Sequence, residues 1–178
     1  MTAAAVSEAA SKPAASIVSQ LSRSRSVSLT EAAGTGKTTL LKEVVPQLRV
    51  LDRNMSECTT TGMAALLMEG VLLHSRAGLR LAPTASLMGG TSASEWVSLL
   101  PPRALARMSS ARLIVLDVIS MLNAALLDGI DGIYRLLRCQ PNAPLEGLVE
   151  LFCAHFAQLP PVFGQGMFSG TYAFRADV

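Results

Sequence analysis

The sequence predicts an α/β fold, a mostly parallel sheet flanked by helices, and three features carry that expectation. Val27 to Thr30 is a short β-type run that leads into a glycine-rich turn and then a helical pattern, Thr38 to Val45. Leu113 to Leu116 is an unbroken apolar run closed by Asp117, as a strand buried on both faces requires. A helical pattern from Asn123 to Arg138 follows it, and strands alternating with helices imply parallel pairing.

The elements follow in order. The first 26 residues are rich in Ala and Ser, carry Lys12, Arg23 and Arg25, and have Glu8 as their only acid. That composition suits a disordered tail or an organelle transit peptide, with the tail preferred. Residues 1–25 are therefore expected as a tail and 26–178 as a single domain. Pro46 should kink or shorten the helix after the glycine-rich turn. Leu48 to Leu51 and a polar patch come next, then Thr59-Thr60-Thr61-Gly62 before a helical run, Met63 to Met68, ending near Gly70. Residues 81–95 are rich in Pro, Gly, Ser and Thr and read as a loop. The helix from about Asn123 to Arg138 places Leu126, Leu127, Ile130, Ile133, Tyr134 and Leu137 on one stripe. Leu148 to Cys153 is the next strand candidate.

Composition narrows the class. The chain of 178 residues is long enough for a sizeable core, and half of it is hydrophobic. Glu69 and Asp117 interrupt its apolar stretches, so no membrane-spanning helix is expected. A net charge of +2 is too small to argue for nucleic acid by itself. Cys58, Cys139 and Cys153 share no metal-like spacing and are expected as buried thiols.

The segment Ala32-Ala33-Gly34-Thr35-Gly36-Lys37-Thr38 is placed as a phosphate-binding loop must be, between a strand and a helix. Glycines let successive backbone N–H groups turn toward one point, and the helix N-terminus adds partial positive charge there. Ala33, Gly34, Thr35, Gly36, Lys37, Thr38 and Thr39 would cradle phosphates, with Lys37 on the outer ones and the Thr38 hydroxyl on magnesium. Glu31 stands where the pattern wants its first glycine. A carboxylate about 4 Å from a phosphate charge costs on the order of 4 kcal/mol at an effective dielectric near 20. A glycine-rich strand-to-helix turn without a ligand is the competing interpretation.

Asp117 ends a hydrophobic strand where a magnesium-holding carboxylate belongs, or else it caps the next helix. Val118 beside it can neither accept a proton nor orient water, and losing a positioned base costs about 10²- to 10⁴-fold in rate. Gln158, before Leu159-Pro160-Pro161, could sense a terminal phosphate through its amide. His74 is a lone histidine, His155 has no second ligand at suitable spacing, and Trp96 and Tyr134 are too isolated for a stacking platform. The methionines are most simply core filler.

Taken in order, A-A-G-T-G-K-T, T-T-T-G-M-A-A, H-S-R-A-G, L-I-V-L-D-V-I-S-M and F-A-Q-L-P-P-V resemble the motor-domain motifs of PIF-family, RecD-like DNA helicases. The resemblance runs from about Ser26 to the C-terminus. It implies a RecA-like domain that binds ATP and magnesium and moves on single-stranded DNA, with roles in DNA repair and recombination in the nucleus or mitochondrion. By position it implies Lys37, Asp117 and Gln158 as catalytic residues, Thr38 and Asp117 on magnesium, and Gln158 on the γ-phosphate. Thr60, Thr61, Gly62, His74 and Ser75 match segments that line the DNA path. The departures gather at the chemistry: Glu31 in the loop, Val118 for the glutamate of the D-E pair, and Ala154-His155 for a G-D pair. Leu72 replaces a threonine, Arg76 an aromatic and Glu146 a glycine, while no adenine-reading glutamine precedes Val27. No second RecA-like domain is visible before Val178. The expectation is thus the N-terminal motor domain of such a helicase, impaired or incomplete; the alternative is a non-catalytic module that binds nucleotide, single-stranded DNA or a protein partner.

Overall fold

The structure is a computed structural model that describes residues 11–30, 35–52, 54–79, 92–139, 144–154 and 173. Five parallel strands form one sheet: β1 (Val27–Thr30), β2 (Ser56–Thr59), β3 (Val71–Leu72), β4 (Leu113–Asp117) and β5 (Val149–Ala154), in the order β1-β5-β4-β2-β3. This is the expected α/β architecture. Seven α-helices accompany them among the described residues: α1 (Lys12–Ser22), α2 (Lys37–Leu51), α3 (Gly62–Met68), α4 (Leu73–Ala77), α5 (Ala93–Leu99), α6 (Pro102–Ser110) and α7 (Ala124–Arg138).

Alternation along the central strands divides the core in two. Val115, Leu151 and Cys153 join Ile17, Leu21, Leu41, Val44 and Leu48 under α1 and α2. Ile114 and Leu116 join Trp96, Met108, Leu126, Ile130, Ile133 and Tyr134 under α5, α6 and α7. Neighbouring strand residues point to opposite faces, so one apolar run supplies both layers.

Several expectations need correction. Residues 12–22 are not tail: α1 buries Ala14, Ile17 and Leu21 against α2. An Ala- and Ser-rich segment makes a helix here because three apolar positions at spacings of three and four suffice to dock it. α2 runs through Pro46 to Leu51. Its buried residues Leu41, Val44, Val45 and Leu48 lie on both sides of the proline, so tertiary packing outweighs the missing hydrogen bond. The polar patch after α2 is central strand β2, buried along its whole length. Its polar side chains have partners on neighbouring elements: Arg76 donates to Ser56 Oγ at 3.0 and 3.2 Å, and Arg49 forms an ion pair with Glu57 Oε2. Glu57 Oε1 is buried without a hydrogen-bond partner among the described residues. The expected loop over 81–95 ends early, because Ser92 and Glu95 form a capping box that opens α5 at Ala93. Cys58 and Cys153 are buried, but Cys139 is exposed just beyond α7.

The parallel order brings the C-terminal ends of β1, β4 and β2 to one edge, where open α/β sheets hold ligands. At the far side, α3 and β3 leave Met63, Leu66, Leu67 and Val71 exposed.

Candidate nucleotide site and single-strand face

α2 starts at Lys37, with Gly36 before it at φ +89°. Only glycine takes that left-handed conformation without cost. The Gly36 carbonyl accepts the Leu40 N–H at 2.9 Å, which closes the first turn and leaves the N–H groups ahead of it pointing out of the helix end. Lys37 Nζ lies 3.5 Å from Thr35 Oγ1. Glu31, Ala33, Gly34, His155 and Gln158 lie outside the described residues.

Asp117 occupies the last position of β4 and is buried. Burial pushes its carboxyl above the usual range, while the Val118 N–H and the charge of Lys37 pull it back. The Val118 N–H donates to Asp117 Oδ1 at 2.9 Å, and Oδ2 is the other carboxylate oxygen. Lys37 and Asp117, 80 residues apart in sequence, are thus electrostatic neighbours at the sheet edge. Thr38 sits half-buried in the first turn of α2.

Beside the glycine-rich turn lies a groove of about 400 Å³ between the start of α1 and α2, lined by Pro13, Leu29, Thr35, Lys37, Leu40 and Glu43. Glu43 accepts from both the N–H and the hydroxyl of Ser11, at 3.2 and 2.6 Å, and so ties the head of α1 to α2. Reading residues 1–25 as a tail hides this groove, because the head of α1 forms one of its walls.

The register pairs Thr59 with Asp117 on one side and with Leu72 on the other. Segments 60–62 and 73–75 therefore leave the sheet at the same edge as Asp117. The threonine hydroxyls are engaged internally. Thr59 donates to the Thr61 carbonyl at 2.9 Å, and Thr61 Oγ1 caps α3 by accepting from the Ala64 N–H at 3.2 Å. Thr60 Oγ1 donates to the Val118 carbonyl at 2.7 Å. Gly62 is exposed and open, since an added Cβ would meet nothing within 4 Å. Burial lowers the His74 pKa from 6.5 and favours its neutral ring. Arg107 holds the Ser75 and Arg76 carbonyls at 3.4 and 2.9 Å.

Val118 adopts φ 58° and ψ 43°, a left-handed conformation that is costly for a β-branched residue. No pattern in the sequence signals this turn or the Thr60 bond that crosses to it.

The comparisons with known proteins agree. The family model for PIF1-like helicase matches residues 11–175. The ATP-dependent DNA helicase PIF1 of Saccharomyces cerevisiae is 34% identical over 155 residues, 85% of this chain and 17% of that protein. PIF5 of Trypanosoma brucei brucei is 35% identical over 141 residues, 79% of this chain and 14% of its own length. Among solved structures, the Pif1 helicase of Candida albicans superposes with a TM-score of 0.78 at 29% identity, covering 94% of this chain and 36% of that one. Bacteroides Pif1 in complex with ADP-AlF3 and single-stranded DNA gives 0.71 at 25% identity, covering 93% of this chain and 38% of that one. The chain thus spans less than a fifth of the length of these two sequence relatives.

Proposed function

The chain belongs to the PIF1-like helicase family, and on that premise we propose that it is the N-terminal motor domain of an ATP-dependent DNA helicase, slow in hydrolysis. Residues 33–39 hold the phosphates of ATP, and the groove beside α1 takes the nucleoside. Segments 60–62 and 74–75 meet single-stranded DNA. The observation that carries this is the approach of Lys37 to the buried Asp117 at the sheet edge. Burial raises the pKa of this carboxyl, and the Val118 N–H and then the charge of Lys37 pull it back; a cation beside it would favour the ionised form further.

The donors fit magnesium. Thr38 offers a hydroxyl and Asp117 a carboxylate oxygen, both hard ligands, and magnesium takes only one or two protein ligands beside phosphate and water. Among the described residues no group of three His, Cys, Asp or Glu could hold a metal alone, consistent with an ion shared with a ligand. When bound, magnesium would neutralise charge on the phosphates. Lys37 would bind the outer phosphates, and Gln158 would report on the last one.

Val118 offers no proton acceptor, so no side chain at that position activates the attacking water. The expected deficit is about 10²- to 10⁴-fold. Single-turnover hydrolysis by wild type and Val118→Glu tests this: a gain of at least about a hundredfold, with nucleotide affinity unchanged, identifies a motor lacking its base. A second interpretation, a non-catalytic binding module, is favoured by the same residue, whose N–H and carbonyl are already committed to Asp117 and Thr60. Unchanged hydrolysis in Val118→Glu would select it.

A further inference from the structure

Thr60 and Val118 each stand one residue past the end of a strand, and the pairing of Thr59 with Asp117 makes them neighbours. The Thr60 hydroxyl donates to the Val118 carbonyl at 2.7 Å, and its backbone N–H approaches the Asp117 carbonyl at 3.4 Å. On the other side of the same residue, the Val118 N–H donates to Asp117 Oδ1 at 2.9 Å. Val118 is therefore clamped from both ends in a left-handed conformation that a β-branched side chain disfavours. The Met121 N–H also donates to the Val118 carbonyl, at 3.1 Å. Without the shorter hydroxyl bond, that contact alone holds the carbonyl against a lower-energy conformation at negative φ, which would swing the N–H away from Asp117 Oδ1. That makes residue 118 an element with two arrangements, the physical requirement for coupling. The hydroxyls of Thr59 and Thr61 serve their own segment, so Thr60 supplies the side-chain bond from this segment to β4. Two residues on, exposed Gly62 leaves the backbone open to close approach.

We infer that Thr60 is a positioning residue that couples single-strand occupancy of segment 60–62 to the Asp117 carboxylate, through the Val118 peptide. The inference rests on the proposed nucleotide and single-strand sites. A strand lying over Gly62 shifts Thr60, the hydroxyl bond tightens or breaks, and the Val118 N–H alters the hold on the carboxylate oxygen. The strand thereby changes how well magnesium binds with nucleotide, without touching either.

The test is a magnesium titration of the 178-residue chain with a fluorescent, slowly hydrolysed ATP analogue, with and without oligo-dT. Wild type, Thr60→Ser, Thr60→Ala and Thr60→Val are compared, with oligo-dT affinity read separately by anisotropy. In wild type the oligonucleotide should change the apparent magnesium affinity by about fivefold or more, the lower end of ordinary allosteric coupling. Thr60→Ser should keep that factor. Thr60→Ala and Thr60→Val should lose it when each is compared at an oligo-dT concentration that anisotropy shows to be saturating for that variant, so that any change in oligo-dT affinity is separated from the loss of coupling. Ala adds no bulk, so it decides the matter if Val disturbs the fold. Full coupling in Thr60→Ala, or none in a wild type that binds both ligands, overturns the inference. Wild type that binds no analogue in the absence of DNA overturns the nucleotide site itself, and the coupling with it.

Discussion

Replacing Val118 with asparagine should stabilise the protein, although it exchanges an apolar side chain for a polar one. Val118 is held at φ 58°. The left-handed conformation costs an ordinary L-residue about 1–2 kcal/mol, whereas asparagine visits it routinely by bonding its own backbone. Against that stands lost burial. A fully buried valine gains about 1.5–3 kcal/mol, and this one is only half-buried, so roughly 1 kcal/mol is at stake, part of which the asparagine Cβ retains. The net gain is about 0.5–1 kcal/mol, a rise in Tm of about 1–4 °C for a chain of this size. Thermal melts of wild type, Val118→Asn and Val118→Ala measure it directly. Alanine loses the same isopropyl contacts while keeping the left-handed cost, so asparagine should exceed both. Asparagine no more stable than alanine would refute the strained turn, and with it the two-arrangement picture of residue 118.

Two further outcomes follow from packing and charge. Ile17→Ala empties a buried position between α1 and α2 and should cost about 2–5 kcal/mol in urea unfolding; a loss below about 0.5 kcal/mol would return α1 to the status of a tail. Glu150 has its pKa raised to about 7 by burial and, secondarily, by Asp131. A raised carboxyl pKa stabilises the fold at low pH, and that contribution is lost as pH rises from 4.5 through about 7. Glu150→Gln should thus be the more stable protein at pH 8 by about 1–2 kcal/mol, after allowance for solvent screening, with the difference fading toward pH 5. Equal differences from wild type at both pH values would contradict the placement of Glu150.

What the sequence made legible divides along physical lines. β1, α2, β4, α7 and β5 announce themselves because apolar runs and helical stripes are local signals. β2 does not, since Ser56, Glu57 and Thr59 are polar residues whose burial depends on Arg76, Arg49 and Thr61. Only Thr61 is close in sequence. α1 was hidden by alanine and serine, because its three docking residues acquire meaning only against α2. The capping box of Ser92 and Glu95 is a local pattern, masked by the turn-forming residues that precede it. At the site, the order of motifs pointed to Lys37 and Asp117, which the fold brings to one edge. The bond from Thr60 to Val118 spans 58 residues and depends on strand register, so no local pattern could reveal it.

The most direct test of the nucleotide site is an equilibrium titration of the folded chain with magnesium and a slowly hydrolysed fluorescent ATP analogue, beside Lys37→Ala. The account predicts micromolar binding by wild type and a loss of at least about tenfold, or 1.4 kcal/mol, in the variant. Binding that Lys37→Ala leaves intact, or no binding by a chain whose circular dichroism is that of a folded α/β protein, would contradict it.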